Sequence, residues 1–161
     1  MSIEAIRNEL TGALIGLAKT CSNHKPLPTT MPTVREALVN LKTDDEAILK
    51  KQLENVRVEK FNLSPGCATC AVRCGNTDDF DLKKLDEEPK DLKAKKKQLL
   101  SMTQRLAAVP HLPYWKKGEN FESSFDFLIL KGLAFIEFAD SEKAVEVLCD
   151  EIEKAIPSDL Q

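Results

Sequence analysis

Ile3, Ile6, Leu10, Leu14, Leu17 and Cys21 recur at intervals of three and four residues. That spacing lines one face of an α-helix, which Asn23 and the following Pro26 and Pro28 bring to an end. Residues 25–32 hold three prolines and read as a surface connection. Thr33 with Glu36, and Thr43 with Glu46, each match a capping box, in which the hydroxyl takes an early backbone N–H and the glutamate reaches back. The first should open a short helix carrying Val34, Ala37, Leu38 and Leu41. The second should open a longer one carrying Ile48, Leu49, Leu53 and Val56.

Ser64 followed by Pro65 is a further helix start, and Gly75 a helix stop. Pro89 fits the first turn of a helix reaching about Ala108, with Leu92, Leu99, Met102 and Leu106 inward. Pro110, Pro113 and Gly118 then interrupt the chain. Residues 119–138 are apolar on nearly every face, through Phe121, Phe125, Leu128, Ile129, Leu133, Phe135 and Ile136. A helix of that kind belongs at the centre of a bundle. Ser141 can cap the last helix, whose inner stripe is Val145, Leu148, Ile152 and Ile156. No strand-like alternation of useful length and no internal repeat is present. The pattern predicts an all-α fold, a helical bundle of about four main helices plus short ones, with residues 1–161 as a single domain.

Composition narrows the function classes. Hydrophobic residues make up 42% of the 161 and charged residues 30%, a globular balance too apolar for disorder. The net charge of −3 requires no large basic face, so nucleic acid is not an expected partner. Lys93, Lys95, Lys96 and Lys97 follow Asp86, Glu87, Glu88 and Asp91, the order that suits the helix dipole and side-chain pairing. They read as a solvated helix face. The first residues lack the pattern of a signal peptide, and the longest apolar stretch, 125–138, is short and interrupted by Asp126, Lys131 and Glu137. A cytoplasmic protein without a membrane partner is expected. In a reducing compartment its five cysteines are thiols or metal ligands more readily than disulfides.

Three of those cysteines form the pointed chemical feature of the chain. Cys67, Cys70 and Cys74 stand in the spacing C-x2-C-x3-C. On a helix these offsets put three thiols on one face; in a loop, C-x2-C lets two thiolates share one metal. Cys67 would lie in a first helical turn, where free N–H groups favour thiolate, and Arg73 adds positive charge. Iron–sulfur clusters and zinc both take thiolate ligands, and both want four. The candidates for the fourth are Cys21, Cys149, His24 and His111. Two other readings stand beside this one: three small apolar side chains packed in a core, and a thiol redox pair of Cys67 with Cys70.

The remaining candidates have bland explanations. Cys21 and Cys149 lie on or beside apolar stripes, so burial accounts for them. His24 and His111 sit in proline-rich connections, where solvated or capping histidines are usual. Tyr114 and Trp115, after Pro113, should anchor a loop on the bundle. Asp78, Asp79 and Asp81 should cap a helix over 79–85 rather than hold a cation. No Gly-rich phosphate loop, H-E-x-x-H or G-x-S-x-G motif is present, and an autonomous enzyme is not expected.

The run from Cys67 through Cys70 and Cys74 to Gly75, Asn76, Thr77, Asp78, Asp79 and Phe80 resembles the cysteine segment near the N-terminus of hydroxylamine reductases, also called hybrid cluster proteins. By that resemblance Cys67 and Cys70 match the opening pair and Cys74 the closing Cys-Gly. The resemblance covers the region from Cys67 onward and implies a cubane iron–sulfur cluster beside a helical bundle. The reductases have four cysteines in a longer segment, and 161 residues leave no room for the α/β domains that hold their second, catalytic cluster. The expectation is therefore a small helical-bundle protein that binds an iron–sulfur cluster, or alternatively zinc, through Cys67, Cys70 and Cys74. It would serve a redox or accessory role, with a redox protein as partner and a homo-oligomer compatible with it. A metal-free interaction bundle is the alternative.

Overall fold

Four helix starts are set by short side chains that accept early backbone N–H groups. Ser2 Oγ accepts from Ala5 N at 3.1 Å and opens α1, Ile3–Asn23. Asp45 Oδ1 accepts from Ala47 N at 3.0 Å and opens α3, Glu46–Leu63. Ser124 and Ser141 do the same for α5, Phe125–Phe138, and α6, Glu142–Ala155, each at 3.1 Å. Between these lie α2, Thr30–Asn40, and α4, Lys90–Ala107, which begins directly after Pro89. The computed structural model describes residues 2–23, 25–63 and 78–160. Among them are six α-helices, three short 3-10 turns (Leu82–Glu87, Phe121–Ser123 and Ser158–Leu160) and no strand. The protein is all-α, as the hydrophobic pattern predicts.

The chain folds as two compact units, Met1–Leu82 and Lys83–Gln161. In the first, α1 and α2 pack on α3. Its core holds Ile6, Leu10, Leu14 and Leu17 of α1, Val34 and Leu38 of α2, and Leu49, Leu53 and Val56 of α3. In the second, α5 and α6 pack on α4 and touch each other far less. Leu99 and Leu106, Ile129 and Leu133, and Val145 and Ile152 are buried there. Burying one such leucine or isoleucine stabilises by roughly 2 kcal/mol. Among the described residues no helix is long and apolar enough to cross a membrane.

Several local expectations are corrected. The connection after α1 is shorter than residues 25–32, because α2 starts at Thr30 and not at the Thr33 capping box. Pro32 falls in its first turn, where a missing N–H costs nothing. For α3 the cap is Asp45, not Thr43; Thr43 Oγ1 accepts instead from Asp45 N at 3.2 Å. Residues 119–138 are not one helix: a 3-10 turn precedes α5. Nor is α5 enveloped, since Phe138 is 61% exposed and Leu128 and Phe135 are half-buried. The enveloped helix is α1, in which every residue from 10 to 21 is buried. Two of its polar members, Thr11 and Thr20, are accommodated by donating to the carbonyls of Arg7 and Gly16 one turn back. The lysine run is not a solvated face either, because Lys96 is buried with its Nζ 2.8 Å from Glu88 Oε1. Lys95 pairs with Glu146 of α6 at 2.8 Å, and Lys93 pairs with Asp86.

Candidate functional site

Cys67, Cys70 and Cys74 lie outside the described residues, as do the helix start at Ser64 and Pro65, Gly75 and His24. What the structure describes is the ground on either side of the triplet. Before it, α3 ends with Leu63 buried. After it, residues 78–80 lie across the face of α1 that carries Gly12 and Gly16. Phe80 N donates to the Gly12 carbonyl at 3.1 Å. A Cβ on Gly12 would stand 2.2 Å from the Phe80 carbonyl oxygen, and one on Gly16 3.1 Å from the Asp78 carbonyl oxygen. Only glycine lets the two backbones come this close.

Charge ties the same segment to α3. The Asp79 carboxylate is 3.8 Å from Arg57 and 3.8 Å from Lys60 on the last turns of that helix. Arg57 also reaches Glu9 of α1 at 2.6 Å. Asp79 thus acts as a tether, where the acidic run suggests a cap for a helix over 79–85; the helical turn there is Leu82–Glu87.

A buried polar cluster sits nearby in the same unit. Glu59 of α3 is 5% exposed, and its Oε1 accepts from the hydroxyls of Thr29 and Thr30, each at 2.8 Å. Thr30 Oγ1 also accepts from Leu27 N at 2.9 Å. The carboxylate therefore lies at the N-terminus of α2, where the helix dipole favours negative charge. Cys21 of α1 lies close enough to feel that charge. Burial, reinforced by Glu59, pushes its thiol from 9.0 up to about 12, so it keeps its proton at neutral pH. Cys149 of α6 is also buried, and burial, with Asp150 next in importance, raises its thiol as well. Both are buried on the apolar stripes of their helices.

His111 is exposed in the connection after α4, with φ 60°, the left-handed region that few residues other than glycine adopt. Beyond it, Trp115 does anchor the loop. Its N donates to the fully buried Asp126 carboxylate at 2.6 Å, and its indole Nε1 donates to the Glu119 carbonyl at 2.9 Å. Its ring meets Phe121 edge-on at 5.3 Å. Tyr114 is exposed.

Among the described residues, no group of three or more His, Cys, Asp or Glu is placed to hold a metal ion. Sequence reasoning missed Glu59 and the glycine face. The signals were present: Glu59 shares an inner stripe with Gln52, Val56 and Leu63, and Gly12 and Gly16 stand one turn apart. No protein-family model matches the chain, and no curated protein or solved structure matches it.

Proposed function

We propose that this protein binds a metal centre, an iron–sulfur cluster or zinc, through Cys67, Cys70 and Cys74, and serves in the cytoplasm as an electron-transfer or accessory protein. The observation that carries the reading is the C-x2-C-x3-C spacing itself, three soft thiolate donors within eight residues. The donor set fits either centre in kind and supplies three of four positions. The fourth falls to Cys21, Cys149, His24, His111 or an exogenous donor. The resemblance to the reductases' cysteine segment favours the cluster. When bound, a cluster supplies one-electron chemistry and a zinc ion supplies cross-linking alone. The chain's own contribution is to hold the segment at its ends, through Leu63 on one side and the Asp79 and Phe80 contacts on the other.

The test is anaerobic purification followed by iron, sulfide and zinc analysis and an absorption spectrum. The expected result is stoichiometric metal that is lost in the Cys67→Ser, Cys70→Ser, Cys74→Ser triple variant. A colourless, metal-free wild-type protein with three freely alkylated thiols would sink the proposal.

A further inference from the structure

Both outer cysteines of the triplet are tied closely to fixed residues of the first unit. Cys67 stands four residues after Leu63, the buried last residue of α3, and Cys74 stands four residues before Asp78. Four residues of chain span at most about 14 Å, which bounds how far each cysteine lies from its anchor. The second anchor is built by tertiary contact. Residues 78–80 lie against Gly12 and Gly16 of α1, where added carbons would meet the Phe80 and Asp78 carbonyl oxygens. Phe80 N donates to the Gly12 carbonyl at 3.1 Å. The Asp79 carboxylate reaches back to Lys60 on the last turn of α3 and to Arg57 three residues earlier, each at 3.8 Å.

That bridge joins the chain after the triplet to the helix that leads into it. Gathering three ligands on a chain held at both ends costs less conformational entropy than on a chain with one end loose. Arg57 is shared as well. Glu9 of α1 holds it at 2.6 Å, closer than Asp79 does, so Glu9 competes with Asp79 for the same guanidinium.

We propose, on the reading of Cys67, Cys70 and Cys74 as metal ligands, that Asp79 is a positioning residue for the metal centre. Docked on the glycine face and bridged to Lys60 and Arg57, it pre-organises the triplet and sets the metal affinity. Coupling of this kind is reciprocal, so a bound metal tightens residues 78–80 on α1.

Zn²⁺ titration of the metal-stripped full chain under reducing conditions, in competition with a chromophoric chelator, tests this. Asp79→Asn should weaken Zn²⁺ binding about three- to tenfold, the modest scale of exposed ion pairs, and Asp79→Glu should stay near wild type. Gly16→Val, which displaces Asp78 and Asp79, should weaken it further. Glu9→Gln, which releases Arg57 to Asp79, should strengthen it. Val34→Ala destabilises the same unit through its core and should leave the affinity unchanged. In wild type, Zn²⁺ should slow hydrogen exchange of the Phe80 amide. An affinity indifferent to Asp79→Asn and Gly16→Val, or one that falls equally in Val34→Ala, overturns the positioning role and leaves the metal reading standing. A wild-type chain that takes up no Zn²⁺ also overturns the positioning role, and the metal reading falls with it where iron and sulfide are absent too.

Discussion

Three residues carry the sharpest consequences. Alanine is the better helix former, and on propensity alone Gly12→Ala would stabilise α1 by about 1 kcal/mol. The Phe80 carbonyl oxygen, 2.2 Å from the added carbon, reverses the sign, because it is backbone and must shift. The expected net loss is roughly 1–3 kcal/mol, read from denaturant unfolding. Gln52 is 5% exposed, and its Oε1 has no hydrogen-bond partner among the described residues. Gln52→Leu removes a buried acceptor left unsatisfied, so stability should hold or rise by about 1 kcal/mol; a loss above that in the same unfolding assay would contradict it. Cys21 should resist alkylation in the folded protein and react once it is unfolded. Its raised thiol adds a pH signature. The unfolded chain ionises this group from 9.0, whereas the fold holds the proton to about 12. The stability concerned is complete below pH 9 and is lost as pH rises through that window. Cys21→Val should flatten the alkaline limb of a stability–pH curve.

At the scale of elements, local signals succeed where the partner atoms are local. Ser141 caps α6 through an N–H three residues on, and the sequence shows both groups. Ser141→Ala should cost about 1 kcal/mol, measured by chemical denaturation. The α2 start shows the contrary case. The capping box at Thr33 and Glu36 is intact in sequence, yet the helix begins earlier, where the Thr29 and Thr30 hydroxyls donate to Glu59 of α3. Nothing within ten residues of Thr30 announces that acceptor, because it arrives from the next helix. The lysine run in α4 fails as a solvated face for the same kind of reason: Glu88 folds back on Lys96, and α6 brings Glu146 to Lys95.

At the scale of the whole molecule, ion pairs between elements contribute to the pH response, modestly because they are exposed. Lys95 holds the Glu146 carboxyl below its usual range, chiefly by hydrogen bonding and then by its charge, and Lys93 does the same to Asp86. Both shifts are depressions. The stability they confer is present above the ordinary carboxylate values of 4.5 and 3.8 and fades as pH falls through the lowered ones. At the other end Lys95 is raised by Glu146, so its share is complete below 10.5 and lost as pH rises past it. Thermal melts of wild type and Glu146→Gln should differ near neutrality and converge in acid.

The sequence by itself determined the all-α fold, the spans of α1 and α4, the inner stripe of α6 and the triplet with its three thiols. Those features are written in periodicity, caps and spacing, which need no partner beyond a few residues. Tertiary structure alone decided that α1 is the enveloped helix, that Glu59 lies at the start of α2, and that residues 78–80 lie on Gly12 and Gly16. Each depends on groups brought together from distant parts of the chain. A glycine face reads in sequence as a gap in an apolar stripe until another backbone fills it.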